Sequence, residues 1–369
     1  MPTPQAERIF HLQGGQVTES AGWLHQAPET GFVWIALSRA CLEAELSAVQ
    51  VCVQQLTGHA LVDLHVQDLL NAQLPSRFED TSRYDLLVFR RLASRARPAE
   101  ASADEVPRKV RGPAILRRID TSPVGFAVFD RLLLTVHPSD CSVREAFAAR
   151  LLASVAQAER VNGAKLPVSP ADLMLRLVNQ MVDQYLDLRR ELNRQLDHWQ
   201  SELLNPGSRF SNWNAVLEAR VTLHRLDELC EDQRSALQDW LDALETWPEG
   251  ANPGEQREHE LLKVRSRDVL EHIERMVHHV RRLERSTEVA VQLHFSAQSH
   301  RTNEIMRTLT ALTAVFLPLN LITGFFGMNF EFMPLVHTLT GFWWVVGLMA
   351  GVLVLVLGWF WRRRYLAHR

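Results

Sequence analysis

The segment GFFGMNF, Gly324 to Phe330, closes an apolar run with two glycines and an uncharged amide, and its first acid, Glu331, stands just beyond. Gly324 and Gly327 carry no side-chain bulk, which lets neighbouring chains approach closely and lets the backbone leave helical geometry. Asn329 offers an amide carbonyl oxygen, a neutral hard ligand. One amide per chain holds an ion weakly. A ring of amides around a symmetry axis is a different ligand, and a neighbouring ring of Glu331 carboxylates would concentrate cations there. Magnesium parts with its hydration water reluctantly, so a neutral ring touching the hydrated ion suits it. Three letters, Gly327–Met328–Asn329, are a weak signal alone; their place directly after an uncharged span gives them weight.

Two elements must position that stretch. Thr308 to Phe330 contains no charge, and neither does Phe332 to Trp361, whose continuous apolar core is Gly341 to Trp361. About 20 helical residues cross a hydrocarbon layer of about 30 Å, so both segments are long enough. Buried helices of a soluble core are the alternative, but soluble helices of this length keep a polar face. Arg301 and Arg307 precede the first span, Arg362, Arg363, Arg364 and Arg369 follow the second, and Met328 to Thr340 holds no Lys or Arg. The positive-inside rule therefore predicts cytoplasmic termini, an external connector over 328–340, and a basic tail over 362–369. Trp343, Trp344, Trp359 and Trp361 lie near the ends of the second span, where indoles favour the membrane interface.

The rest of the chain reads as a large cytoplasmic body beneath this hairpin. Over 369 residues the net charge is −3, without the basic excess of a nucleic-acid binder. Mean hydropathy is near neutral at −0.11, because the apolar sequence is concentrated after Arg307. Cys41, Cys52, Cys141 and Cys230 are scattered without metal-binding spacing, which predicts a reducing compartment and neither structural zinc nor a disulfide framework. The first residues show no basic stretch followed by an apolar run, so no signal peptide is expected.

Residues 1–168 read as mixed α/β. Phe32–Leu37, Asp85–Leu92, Gly125–Asp130 and Arg131–His137 are rich in β-branched and aromatic residues, as half-buried strands are. Ala40–Leu56 and Ser142–Glu159 are helix-like, and Arg95 to Pro113 reads as a loop between strands. From about Pro170 the pattern is helical. One helix is expected over Ala171–Leu204, a second over Trp213–Thr246, and a third from about Gly254, with no proline until Pro318. Val269, Ile273, Met276, Val280 and Leu283 step by 4, 3, 4 and 3, the stripe of a helix packed against helices. Continued to Phe326, that helix is about 110 Å long, too long to stand alone in water. Pro318 within the span is tolerable in a membrane helix. The expected divisions are therefore 1–168, a helical stalk over 169–307, and a membrane region over 308–369 with spans at about 308–327 and 341–361.

Thr302–Pro334, the two-span ending, the basic tail, and RDVLEH (Arg267–His272) resemble the CorA family of divalent-cation transporters, with ZntB as its zinc branch. The likeness is looser in the first half, over VQDLLNAQLPSRFEDTSRYDLLVF and FAVFDRLLLTVH. The resemblance implies a funnel-shaped homopentamer: an α+β cytoplasmic domain, a long helical stalk continuing into a pore-lining first span, and a second span outside it. It implies an inner-membrane transporter, not an enzyme, of Mg²⁺ with Co²⁺ and Ni²⁺ tolerated. Its partners would be further copies of the chain, membrane lipid and the transported cation, with no covalently bound cofactor.

The matching pore positions are Asn303, Met306, Leu309, Thr313, Leu317, Asn320 and Gly324, ending in Gly327, Met328 and Asn329, with Glu331 beyond. From Asn303 to Gly324 their steps of 3, 3, 4, 4, 3 and 4 keep them near one helical face. Met306 and Leu309 alone would read as ordinary helix–helix core; the resemblance makes them, with Leu317, a hydrophobic constriction that resists ions when narrow. One departure matters. Where magnesium-regulated members carry a stalk aspartate near the membrane, this chain has Gln292, a poor magnesium ligand, although Asp268 keeps an acid that some members use. Regulation by cytoplasmic Mg²⁺ through that site is in doubt, and Zn²⁺ or proton-coupled transport stays an alternative, as does a membrane scaffold or sensor that does not conduct.

Other clusters point elsewhere. His278, His279, His294 and His300 do not share a helical face and are read as solvated or packing histidines. Asp183, Asp187, Glu191 and Asp197 alternate with Arg189, Arg190 and Arg194 as a salt-bridged exposed face. No P-loop, dinucleotide fingerprint, G-x-S-x-G or H-E-x-x-H occurs, so nucleotide-driven transport and hydrolysis have no support.

Overall fold

The computed structural model describes residues 7–14, 16–20, 22–24, 26, 28, 30–92, 121–139, 141–158, 166–204, 213–248, 252–328 and 339–362. They fall into two compact units, one comprising residues 1–202 and 208–288 and the other residues 203–207 and 289–369.

The first unit is built on a seven-stranded mixed sheet. Its strands are β1 (Glu7–Gln13), β2 (Gln16–Ser20), β3 (Phe32–Ser38), β4 (Arg77–Asp80), β5 (Asp85–Leu92), β6 (Thr121–Val128) and β7 (Leu132–His137), in spatial order β2-β1-β3-β7-β6-β5-β4. Among the described strands only the β3–β7 pair is parallel. β3 and β7 are buried along their whole length because helices cover both faces of the sheet, which explains their unbroken apolar sequences. The two-residue period sorts the side chains. Val33, Ile35 and Leu37 face α1 (Arg39–Ala44), α2 (Leu46–Thr57) and α3 (Asp63–Leu70), whereas Phe32, Trp34 and Ala36 join the core made with α4 (Ser142–Ala158) and the long helices.

Those long helices are α5 (Pro170–Leu204), α6 (Trp213–Thr246) and α7 (Pro253–Phe326). Buried polar bonds fix their docking. The Arg90 carbonyl accepts from Tyr185 Oη at 3.2 Å and Gln233 Nε2 at 2.6 Å, tying α5 and α6 to β5. Trp240 Nε1 donates to Ser266 Oγ at 2.9 Å, and Arg281 reaches Asp227 at 3.0 Å and also Glu231, tying α6 to α7. The expected stripe Val269, Ile273, Met276, Val280 and Leu283 is buried throughout, and Thr287 and Ala290 extend it.

Several expected elements differ in detail. The Ala40–Leu56 stretch is two helices, broken at Glu45, whose φ of −116° and ψ of 27° leave helical geometry. β6 begins earlier than expected, at Thr121, and runs through Pro123 and Gly125. A side chain at Gly125 would meet Leu69 Cδ2 at 2.2 Å, so the glycine admits α3 onto the strand. β1 and β2 were not anticipated, whereas β4 and most of α3 lie in the stretch VQDLLNAQLPSRFEDTSRYDLLVF, where the family resemblance alone implied strands and a helix. The loop read over Arg95–Pro113 lies outside the described residues.

The second unit contains the 289–326 portion of α7 and helix α8 (Leu339–Arg362). Both α7 and α8 contain segments long and apolar enough to cross a membrane. Within this unit the shielded positions form matching stripes. On α7 they are Ala311, Ala314, Val315, Pro318, Leu319, Ile322 and Phe326; on α8 they are Gly341, Val345, Met349, Val352, Leu353, Val356 and Phe360. Steps of three and four put each stripe on one face of its helix, as a helix packed against a neighbour requires. The four tryptophans of α8 are all solvent-exposed in the single chain.

Candidate functional site

The site begins with a helix that has two different faces. Asn303, Met306, Leu309, Thr313, Leu317, Asn320 and Gly324 occupy about one third of the circumference of α7. All seven are exposed, and their centre lies roughly opposite the stripe shielded on the α8 side. Met306 and Leu309 are each 56% exposed and Leu317 is 67% exposed, so in the single chain none of them is packed core. A shallow hollow of about 360 Å³ on this face is lined by Leu309, Thr310, Thr313, Ala314 and Leu317. Thr310 falls in the same sector, at three residues from Thr313. It was missed, although helical spacing alone could have found it.

The threonines of this segment share one local chemistry. Thr308, Thr310, Thr313 and Thr323 each donate the hydroxyl proton to a carbonyl four residues back, at 2.9, 2.7, 2.9 and 3.1 Å. A hydroxyl bonded in this way directs lone pairs, not a proton, to its surroundings. Thr310 and Thr313 are thus oxygen acceptors on a face where Asn303 and Asn320 carry amide oxygens. Pro318 has no N–H, so the Ala314 carbonyl loses its usual helical donor within the span.

The helix closes with the Gly327 N–H donating to Thr323 O at 2.9 Å and the Met328 N–H to Phe325 O at 3.4 Å. A Cβ at Gly327 would sit 2.8 Å from Thr323 O, whereas one at Gly324 meets nothing within 4 Å. Gly327 is needed by the chain's own turn; Gly324 has no such need within one chain. Asn329, Glu331 and the connector up to residue 338 lie outside the described residues, as does the tail from residue 363.

The stalk candidates are dispersed. Asp268 is exposed, with His272 Nε2 at 3.9 Å, and Gln292 is exposed further along α7. His278 and His300 are exposed and His294 is partly covered. His279 is 5% exposed, and neither of its ring nitrogens has a hydrogen-bond partner. Burial first, then Arg189 and Arg282, push its pKa down to about 4, which keeps the ring neutral. Among the described residues, no stalk histidine joins a group of three possible metal ligands.

Comparison with known proteins decides the family. The model of the CorA-like Mg²⁺ transporter proteins matches residues 31–364. The chain belongs to that family. It is 30% identical over 196 residues to the YfjQ protein of Bacillus subtilis, covering 53% of this chain and 58% of that one. It is 24% identical over 194 residues to the cobalt/magnesium transport protein CorA of Thermotoga maritima, covering 53% of this chain and 52% of that protein. The aligned segment therefore spans little more than half the length of these relatives. The complete structure of the CorA magnesium transporter of Methanocaldococcus jannaschii superposes with a TM-score of 0.68 at 18% identity, covering 96% of this chain and 97% of that one. This CorA-like chain thus shares the fold of a full-length relative: an α/β N-terminal region, a long helix and two C-terminal apolar helices.

Proposed function

We propose that the chain assembles as a homopentamer in the inner membrane and passes divalent cations inward, Mg²⁺ with Co²⁺ and Ni²⁺ tolerated. The observation that carries this reading is the two-faced end of α7: one face shielded within the hairpin, the opposite face presenting Asn303, Thr313 and Asn320 between Met306, Leu309 and Leu317. In a ring of copies that second face lines an axial path in which oxygen ligands alternate with apolar constrictions. The apolar rings resist a hydrated ion when narrow, and the oxygen rings replace bulk water between them. Asn329 and Glu331 form the outer mouth, where carboxylates raise the local cation concentration and amides contact the hydrated ion. A negative cell interior supplies the drive, about 2.3 kcal/mol per elementary charge per 100 mV and twice that for a divalent ion. Both termini are cytoplasmic in this arrangement.

Dye-loaded liposomes carrying the purified protein, challenged with Mg²⁺, Co²⁺ and Zn²⁺ with and without a pH gradient, test the proposal. Mg²⁺ influx that falls at least ~10-fold in Asn329→Ala is the expected result. Unchanged flux in that variant overturns the assignment of the mouth, and no flux of any divalent ion under any gradient makes the protein a scaffold or sensor. Gln292 favours one second reading. A neutral amide at that stalk position removes a magnesium ligand, and Zn²⁺ uptake coupled to protons would then appear as Zn²⁺ flux that outcompetes Mg²⁺ and follows the pH gradient.

A further inference from the structure

We propose that Glu7, Cys41 and Glu45 form a transition-metal site in the sheet-containing unit, taking Zn²⁺ or Co²⁺ in preference to Mg²⁺. One carboxylate oxygen of Glu7, the Cys41 sulfur and one carboxylate oxygen of Glu45 lie within 4.8 Å of one another. Ligand atoms around tetrahedral zinc lie about 3.5 Å apart, given metal–ligand distances of about 2.0–2.3 Å, so small side-chain rotations close the set. The thiolate selects the metal class. Sulfur suits Zn²⁺ and Co²⁺, whereas Mg²⁺ keeps oxygen ligands and its own water. Glu45 is exposed, so the fourth coordination position opens toward solvent and takes water or an exchanging ligand.

The fold holds the three groups in place independently of one another. Pairing of β1 with β3 sets Glu7 opposite Leu37, one residue before the cap of α1. Ser38 provides that cap, its Oγ accepting the Cys41 N–H at 3.1 Å, which fixes the residue bearing the thiol. Glu45 ends the same helix, its N–H donating to Cys41 O, and Trp23 Nε1 donates to Glu45 Oε2 at 3.2 Å. Such an outer hydrogen bond orients a ligating carboxylate.

Two further observations concern the Cys41 thiol and one oxygen of Glu7. Cys41 is a free thiol, 7% exposed. Glu7 Oε2 is shut off from solvent and accepts no hydrogen bond. An enclosed carboxylate oxygen without a donor is costly, and a cation is what would satisfy it. Burial first, then Glu45, raises the Glu7 pKa; burial first, then Glu45 and Glu7, raises that of Cys41, with Arg144 opposing. The inference is independent of the transport reading, since it concerns only the corner where β1 meets α1.

Titration of the reduced, full-length protein in detergent with Co²⁺ alone tests it. The expected result is a thiolate-to-cobalt charge-transfer band in the near ultraviolet, bleached by Zn²⁺ and retained in about a hundredfold excess of Mg²⁺. Cys41→Ser abolishes the band. Glu45→Gln, at the exposed end of the trio, keeps the thiol but weakens Co²⁺ binding at least ~10-fold. Absence of the band in the wild-type protein overturns the proposal, as does a band that survives in Cys41→Ser or an unchanged Co²⁺ affinity in Glu45→Gln. Should Cys41→Ser fail to fold, the Glu45→Gln affinity decides alone.

Discussion

Gly327 and Gly324 stand three residues apart at the end of α7 and have different reasons to lack a side chain. At Gly327 a methyl group would press on the Thr323 carbonyl that the Gly327 N–H already bonds, so the backbone must move to accept it. Gly327→Ala is expected to cut divalent flux in liposomes at least ~10-fold and to cost the fold about 1–3 kcal/mol. Gly324→Ala meets open space within the chain and should leave thermal unfolding unchanged, so any flux it loses reports crowding between copies. Asp85 makes a separate prediction. It is 7% exposed, and burial first, then Asp80 and Asp130, raise its pKa to about 7. Its folded pKa exceeds the ordinary value of 3.8, so as pH rises from about 4 to about 7 the unfolded chain releases the proton first and the fold loses stability. Asp85→Asn should therefore stabilise the protein by about 1–3 kcal/mol at pH 8 and much less at pH 4, read by tryptophan-fluorescence melting. Equal melting temperatures of the two proteins at pH 8 would show that the carboxyl carries no such burden.

Among the elements, long amphipathic stretches with clear stops were readable in advance. α5, α6 and α7 begin and end within a residue or two of expectation because NPGS and WPEGANPG interrupt their patterns. β3 and β5 were legible from apolar content alone. β2 and β4 were not, since QVTES and RFED are short and polar and become strands only through pairing with β1 and β5. The break at Glu45 has no glycine or proline to announce it. The line of positions on α7 came from the family resemblance, since spacing alone reads Met306 and Leu309 as ordinary helix–helix core, whereas the Glu7–Cys41–Glu45 trio exists only after β1 pairs with β3. His279 shows what burial adds to a correct stripe. The residue sits beside Val280 on the packed face, with both ring nitrogens unsatisfied and its pKa pushed down to about 4. As pH falls from 6.5 toward 4 the unfolded chain gains a proton that the folded one refuses, so stability is lost across that window. His279→Met is expected to add about 1–2 kcal/mol at neutral pH and more at pH 5. Parallel acid-induced losses in the variant and the wild-type protein would remove His279 as the cause.

For the whole molecule, what one chain leaves uncovered sets the requirement for others. Residues 295–310 of α7 are exposed at every position, including Phe295, Ile305, Met306 and Leu309. An isolated helix of this kind is marginal in water, and so much apolar surface calls for partners. Copies arranged around an axis cover it and bring the second face of the membrane segment together, whereas a monomer leaves that face to lipid. The two arrangements differ in what Leu309→Ser does. Leu309 is 56% exposed in the chain, so its loss costs the single fold little, within about 0.5 kcal/mol. In a ring the same change places a hydroxyl from every copy at one constriction and wets it. If the proposed assembly holds, the expected outcome is an unchanged native mass, an unchanged melting temperature and a raised resting leak of Mg²⁺ into liposomes. Ala311→Leu serves as the opposite control: its site is 8% exposed on the α8 side, and overpacking there should destabilise the hairpin by about 1–3 kcal/mol. If Leu309→Ser instead breaks the assembly and leaves the leak of the survivors unaltered, Leu309 is packing between helices and the constriction lies elsewhere.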